Sequence, residues 1–267
     1  MTTNTNRSAG NYASVNGINL YYEIHGTGKP LILLHGGVET FATFAAIAPT
    51  LALDHQVIGV DLYGHGHTAL TERPIRYEQL ADDIAGLISY LELENADLLG
   101  YSLGGGVALQ TAIRHPAYVN KLVVISAPFR RSGWHPEIQS AMKANIPEYF
   151  VGTPSHDAYM RMAPKPEDFP RLVTEVNETL GQEYDWREQV SALRNPILII
   201  AGDADALPPM HAVEFFNLLG GGLKDGGWDG ANVIPSQLAI LPGATHYSIV
   251  SRADLLLPVL VPFLSNT

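Results

Sequence analysis

Cysteine is missing from all 267 residues. Its absence excludes disulfide frameworks, thiolate zinc sites, iron–sulfur clusters and a cysteine nucleophile together. Positive charge is scarce, with 16 Lys and Arg against 27 Asp and Glu and a formal net charge of −11. A protein that holds nucleic acid needs a basic face to neutralise phosphates, and neither the overall balance nor any local Lys/Arg run supplies one. Nucleic acid is therefore not an expected partner. Long apolar runs are lacking too. The longest candidate, residues 255–264, is interrupted by Pro258 and Pro262 and falls short of the ~18 residues of a spanning helix, so no membrane span is expected. The first residues, MTTNTNRSAGN, are polar and lack the apolar segment of a secretory signal, from which a cytoplasmic location is expected.

Hydrophobic residues make up 46% of the chain and charged residues 16%, a balance that buries a real core and fits one large domain, with or without an insertion. Short β-type runs at 31–34, 57–60, 96–99, 122–125, 197–201 and 237–241 alternate with stretches of helical period at 41–53, 77–91, 103–115, 210–219 and 253–264. Such alternation predicts a parallel sheet wrapped by helices. The runs are apolar throughout, as strands covered on both faces must be. Ahead of them, 12–15 and 20–24 joined through Asn16-Gly17 read as an antiparallel edge hairpin. Two connections break the rhythm. Residues 129–195 carry several prolines, Met142, Met160 and Met162, and the aromatics Trp134, Tyr149, Phe150, Tyr159 and Trp186; they read as a helical insertion over the sheet. Residues 220–235 form a Gly-rich loop too long for a routine turn.

Directly after the run 96–99 stands Gly100-Tyr101-Ser102-Leu103-Gly104, a G-x-S-x-G followed by a helix-forming stretch. A serine on a tight strand-to-helix turn is held in strained geometry with its hydroxyl exposed, and the flanking glycines keep Cβ atoms out of the crowded turn. The helix that follows aims its free N–H groups at the same point.

With this motif in place the chain resembles the α/β-hydrolase superfamily, over nearly its whole length. The motifs that carry the resemblance, in the family's order, are His35-Gly36-Gly37, Asp61-Leu62-Tyr63-Gly64-His65-Gly66, the GYSLGGG elbow, Gly202-Asp203-Ala204-Asp205 and Pro242-Gly243-Ala244-Thr245-His246. The resemblance implies an eight-stranded, mostly parallel sheet flanked by helices, with residues 1–128 and 196–267 as core and 129–195 as a helical cap. It also implies a triad of Ser102, Asp205 and His246, and an oxyanion hole made by the backbone N–H groups of Gly37 and Leu103. The chemistry accords with those residue types. A serine hydroxyl needs an adjacent base, an imidazole with an ordinary pKa of ~6.5 suits that task, and a carboxylate holds its tautomer. Asp205 rather than Asp203 matches the family's acid position, and Asp203 is expected to fix the turn through backbone N–H groups.

The expected activity is a serine esterase acting on small to medium carboxylic esters, with Trp134, Met142, Tyr149 and Met160 as candidate pocket residues and with no metal or cofactor. Lactonase, carbon–carbon bond hydrolase and cofactor-free perhydrolase chemistries share the triad, and a hydrolase-like receptor for a small ligand is the rival from another class. Haloalkane dehalogenases and epoxide hydrolases are set aside because they carry Asp at the elbow. Other features take plainer readings. His65-Gly66-His67 beside Asp61 invites a metal but lies in a structural turn, and His35 is expected to bond backbone. His115 and His211 read as surface or capping residues, and Gly104-Gly105-Gly106 lacks dinucleotide spacing. Arg130-Arg131 reads as a solvated pair before it reads as an anion receptor.

Overall fold

The computed structural model describes residues 10–265; the polar N-terminal stretch at 1–9 lies outside the described residues. Strands β1 (Asn11–Val15) and β2 (Ile18–His25) form the antiparallel hairpin, turning through Asn16 and Gly17, both at positive φ. Strands β3 (Lys29–Leu34), β4 (His55–Asp61), β5 (Ala96–Tyr101), β6 (Val119–Ile125), β7 (Ile197–Ala204) and β8 (Gln237–Thr245) are mutually parallel, and β2 joins β4 antiparallel. The order is β1-β2-β4-β3-β5-β6-β7-β8. Each predicted run is a strand, most of them longer by a few residues at one or both ends.

Alternation along each strand divides the core in two. Ile32, Leu98, Leu122, Val124, Ile197 and Ile199 face the layer of helices α2 (Tyr77–Tyr90), α3 (Leu103–Arg114) and α8 (Pro209–Leu218). Leu31, Leu33, Leu99, Val123, Leu198 and Ile200 face α1 (Ala48–Leu51) and α9 (Ala253–Ser265). Both layers exclude water from these strands, which is why no polar alternation is visible in them. The predicted helix over 41–53 is not continuous. It is a 3₁₀ turn, Phe41–Phe44, followed by α1, because a helix running through would set the Pro49 ring against the Ala45 carbonyl. Between β6 and β7 the chain forms α4 (Pro136–Ala144), α5 (Pro154–Met162), α6 (Phe169–Gly181) and α7 (Arg187–Ala192). Residues 219–236 form neither helix nor strand. Among the described residues no helix is long and apolar enough to cross a membrane.

From β3 the chain crosses to β4 on one side and then returns to β5 on the other. The carboxyl ends of β3 and β5 thus flank a topological switch point, the place where ligands bind in open α/β sheets.

The turn after β4 is tied by Asp61, which accepts from the backbone N–H groups of Phe41 and His67 and from His67 Nδ1 at 2.8 Å. Burial opposes ionisation of Asp61, but these donors and the nearby His35 ring outweigh it and hold the carboxyl below its ordinary range. The same bond holds His67 above the usual imidazole value. Asp61 therefore contributes stability above the unfolded carboxylate pKa that is lost as pH falls through its lowered folded value. His67 contributes stability fully below ~6.5 that is lost as pH rises through its raised value. The pair counts most between those limits. His67→Gln is expected to cost about 0.5–1 kcal/mol near pH ~5.5 and less near pH ~9. Thermal melts of both proteins at the two pH values check this, and an equal loss at both contradicts it.

Candidate active site

At the switch point, Ser102 links the end of β5 to α3 with φ 53° and ψ −117°, a left-handed conformation that L side chains rarely adopt. Two glycines make the turn sterically feasible. A Cβ on Gly104 would sit 2.1 Å from the Leu34 carbonyl oxygen, and one on Gly100 the same distance from the Gly104 carbonyl oxygen. The Gly104 N–H instead donates to His35 O at 3.0 Å, stitching the elbow to the loop after β3.

Ser102 Oγ lies 3.0 Å from His246 Nε2, and His246 Nδ1 lies 2.8 Å from Asp205 Oδ1. A carboxylate only accepts, so Nδ1 carries the proton toward Asp205 and Nε2 is free to accept from the serine hydroxyl. All three residues are largely buried. Asp205 is held from several directions. Its Oδ1 also takes the Ala206 N–H, while Oδ2 takes the Gly202 N–H at 2.9 Å and the Ser126 hydroxyl at 2.5 Å. Burial raises the cost of its charge, yet the bond from His246, the imidazole's field and these donors prevail and keep the carboxyl below its ordinary range. Asp203 is exposed and accepts from Gly243 N–H at 2.8 Å, so it bonds across to β8 rather than within its own turn as expected.

Gly37 and Leu103 lie on the two loops that meet here. The Leu103 amide is in the first turn of α3, where N–H groups have no intrahelical acceptor. Above Gly37 stands α6, close enough that a Cβ on Gly37 would meet Val176 Cγ1 at 2.7 Å. Trp134 is buried and presents its ring edge-on to His246, centroids 5.6 Å apart. Met142 on α4 is half-buried against the core. Tyr149 is 76% exposed on the 3₁₀ turn Pro147–Phe150, and on α5 Tyr159 is buried while Met160 is 37% exposed; among the described residues no contact joins Tyr149 or Met160 to the trio.

Four histidines outside the trio have partners elsewhere in the chain. His35 Nδ1 donates to Gly36 O at 2.7 Å and its Nε2 accepts the Leu62 N–H at 3.0 Å, fastening the β3 loop to the β4 turn. His65 Nδ1 bonds Tyr63 O, and burial beside His35 pushes its pKa down to about 3. His115, at the end of α3, meets Asp82 at 2.7 Å. His211 departs from expectation. It is buried, stacked on Phe129 with centroids 4.4 Å apart, and accepts the Phe129 N–H, because the start of α8 packs under the segment leaving β6. Arg130 is bidentate to Glu214 at 2.7 Å, and Arg131 pairs with Glu183 at 2.9 Å, so both guanidinium groups are neutralised within the chain.

Three neighbours of the trio escaped the sequence. Ser126, at the end of β6, also has positive φ, 52°, and donates to Asp205. Tyr101 donates to the His246 carbonyl oxygen at 2.7 Å. Glu39 reaches back along the β3 loop to the Gly36 N–H. Of these only Tyr101 lay inside a recognised motif.

Several known proteins are similar to this chain. The 2-hydroxymuconate semialdehyde hydrolase of Pseudomonas sp. strain CF600 is 40% identical over 109 residues, 38% of this chain and 38% of that protein. The AB hydrolase superfamily protein YisY of Bacillus subtilis strain 168 is 28% identical over 229 residues, 78% of this chain and 84% of that protein. The crystal structure of E-2-(acetamidomethylene)succinate hydrolase superposes with a TM-score of 0.77 at 21% identity, covering 97% of this chain and 99% of that one, a likeness of fold. The model of the family described as alpha/beta hydrolase fold matches residues 29–175, more than half of the chain. With that match laid over a sheet whose switch point holds the elbow, the chain belongs to the α/β-hydrolase fold family and is a hydrolase.

Proposed function

We propose that this hydrolase is a serine esterase for small to medium carboxylic esters, working through an acyl-enzyme on Ser102. The observation that carries the reading is the continuous hydrogen-bonded line from Ser102 Oγ through both nitrogens of His246 to Asp205. In this reading His246 Nε2 takes the hydroxyl proton as Ser102 attacks the ester carbonyl, and the imidazolium then protonates the departing alkoxide. A water enters, gives its proton to the same nitrogen and cleaves the acyl-enzyme, so Ser102 is regenerated and acid and alcohol leave. The developing oxyanion is met by the Gly37 and Leu103 amides. Asp205 stays ionised and steadies the imidazolium. No step requires a metal or cofactor.

We assign residues 129–195 as a cap on a core of 1–128 and 196–267. Val176 above Gly37 and Trp134 against His246 support this, and both leave little room over the reacting carbonyl. Trp134 and Met142 are retained as pocket residues; Tyr149 and Met160 are not. Carbon–carbon, lactone and peracid chemistry use the same trio. The internal pairing of Arg130 with Glu214 and of Arg131 with Glu183 accords with neutral esters over anionic substrates, since each guanidinium already faces a carboxylate of the chain.

Ser102→Ala is expected to remove covalent labelling by a fluorophosphonate and to lower ester turnover on the order of 10⁶-fold with an unchanged melting temperature. Near-normal turnover by the folded variant contradicts the mechanism, and a folded wild-type protein that the probe does not label points to a binding protein instead. Asp205→Asn preserves shape but not charge, and a loss on the order of 10⁴-fold in kcat is expected. Asp203→Asn is expected to retain turnover and to cost at most about 0.5–1.5 kcal/mol through its weakened bond to Gly243. Kinetics and melts of both variants decide the assignment, which is reversed if the Asp203 variant alone is inactive. Among 4-nitrophenyl esters, the C4 acyl chain is expected to be cleaved faster than C16, and the opposite order overturns the roofed pocket.

A further inference from the structure

One carboxylate stands beside the trio without a part in this chemistry. Glu39 lies in the loop after β3, and its Oε2 accepts from the Gly36 N–H at 3.2 Å and from Thr43 Oγ at 3.0 Å. Gly36 is wedged between this oxygen and the Tyr101 ring: a Cβ there would be 2.9 Å from Glu39 Oε2 and 3.0 Å from Tyr101 Cε1. The Tyr101 ring in turn lies 5.3 Å from the His246 ring and its hydroxyl holds the His246 carbonyl. The line of contacts therefore runs from the carboxylate past Gly36 and the Tyr101 ring to the base, with Glu39 on the loop that bears Gly37. Its hydrogen-bond partners are neutral donors, and no ion pair involves it among the described residues. Burial pushes its carboxyl above the ordinary value against the pull of Thr43, Gly36 and His246. Its field is felt nearby, since burial first and Glu39 second raise the Tyr101 hydroxyl.

We infer that Glu39 is a specificity-determining residue that sets the charge class of the substrate, admitting neutral and cationic esters and rejecting those with a carboxylate near the scissile bond. The inference rests on the serine-esterase reading. A second negative charge close to the scissile bond meets repulsion from Glu39 across Gly36 and the Tyr101 ring, whereas a neutral group of the same shape meets none. Hydrogen bonds from Gly36 and Thr43 fix the carboxylate in place, so it cannot swing into solvent to avoid the encounter.

The test uses the full chain at pH 8 with two isosteric 4-nitrophenyl esters, the hemisuccinate and the succinamate, and a trimethylammonio-butyrate ester as the cationic member. The hemisuccinate is expected to show a kcat/KM about 10- to 100-fold below the succinamate after correction for hydroxide-catalysed rates, and the cationic ester no such penalty. Glu39→Gln, which keeps an acceptor for Gly36 and Thr43, is expected to narrow the gap at least about 10-fold. Equal rates on the two isosteres in the wild type, or a gap that Glu39→Gln leaves intact, overturns the inference. Should that variant fail to fold, Glu39→Asp retracts the charge by one methylene and is expected to narrow the gap in part; an unchanged gap again overturns it. Labelling by neutral and carboxylate-bearing fluorophosphonates runs beside the kinetics. Absence of any labelling defeats the serine reading, while labelling at equal rates by both probes defeats the role of Glu39 alone.

Discussion

The site depends on how closely the first turn of α3 approaches the ends of β3 and β5. That approach brings Gly104 against the Leu34 carbonyl and Gly100 against Gly104 at distances no Cβ tolerates. In return the Gly104 N–H bonds His35 O, and Ser102 is held at positive φ with its hydroxyl projecting from the sheet rather than lying along it. A strained residue persists only where its surroundings over-determine it, and here the parallel strands on either side of the switch point do so. Relaxing the elbow would separate Ser102 from His246 and the Leu103 amide from the Gly37 loop in the same movement.

The acid end is built by a different means. Asp205 stands past β7, where its oxygens collect amide and hydroxyl donors from the same turn and from the end of β6. Those donors compensate the cost of a buried carboxylate, so its charge is available to His246. Tyr101 completes the frame by gripping the His246 backbone from β5. Three neighbouring strands thus contribute one fixed point each, and the side chains of the trio are held with little freedom to move.

Charge near the site is distributed unevenly. Arg130 pairs with Glu214 on α8, and Arg131 with Glu183 between α6 and α7. Glu39 has no counter-ion among the described residues. Fold and substrate are set by different residues.

The sequence by itself determined the layered architecture, because strands buried on both faces must be apolar throughout and only helices of the right spacing can cover them. It also determined the elbow, since a serine between glycines at a strand-to-helix junction has few other ways to fold. The choice of Asp205 over Asp203 was legible only through the resemblance; its physical reason, a turn that buries one carboxylate and leaves the other bonding Gly243, belongs to the tertiary structure. Local pattern misled at residues 41–53, where a 3₁₀ turn and the short α1 with Pro49 in its first turn replace one helix, and it did not reveal the exposure of Tyr149. It was silent on Ser126 and Glu39, and it placed His211 at the surface or a cap where the structure buries it. Each of these acquires its role from partners on other elements: Ser126 from Asp205, 79 positions along the chain, and His211 from Phe129, 82 positions away. Glu39 acquires its role from the Tyr101 ring and His246, which only the packed sheet brings beside the β3 loop. Periodicity encodes which face of an element is buried, and encounters between distant loops exist only once those faces have packed.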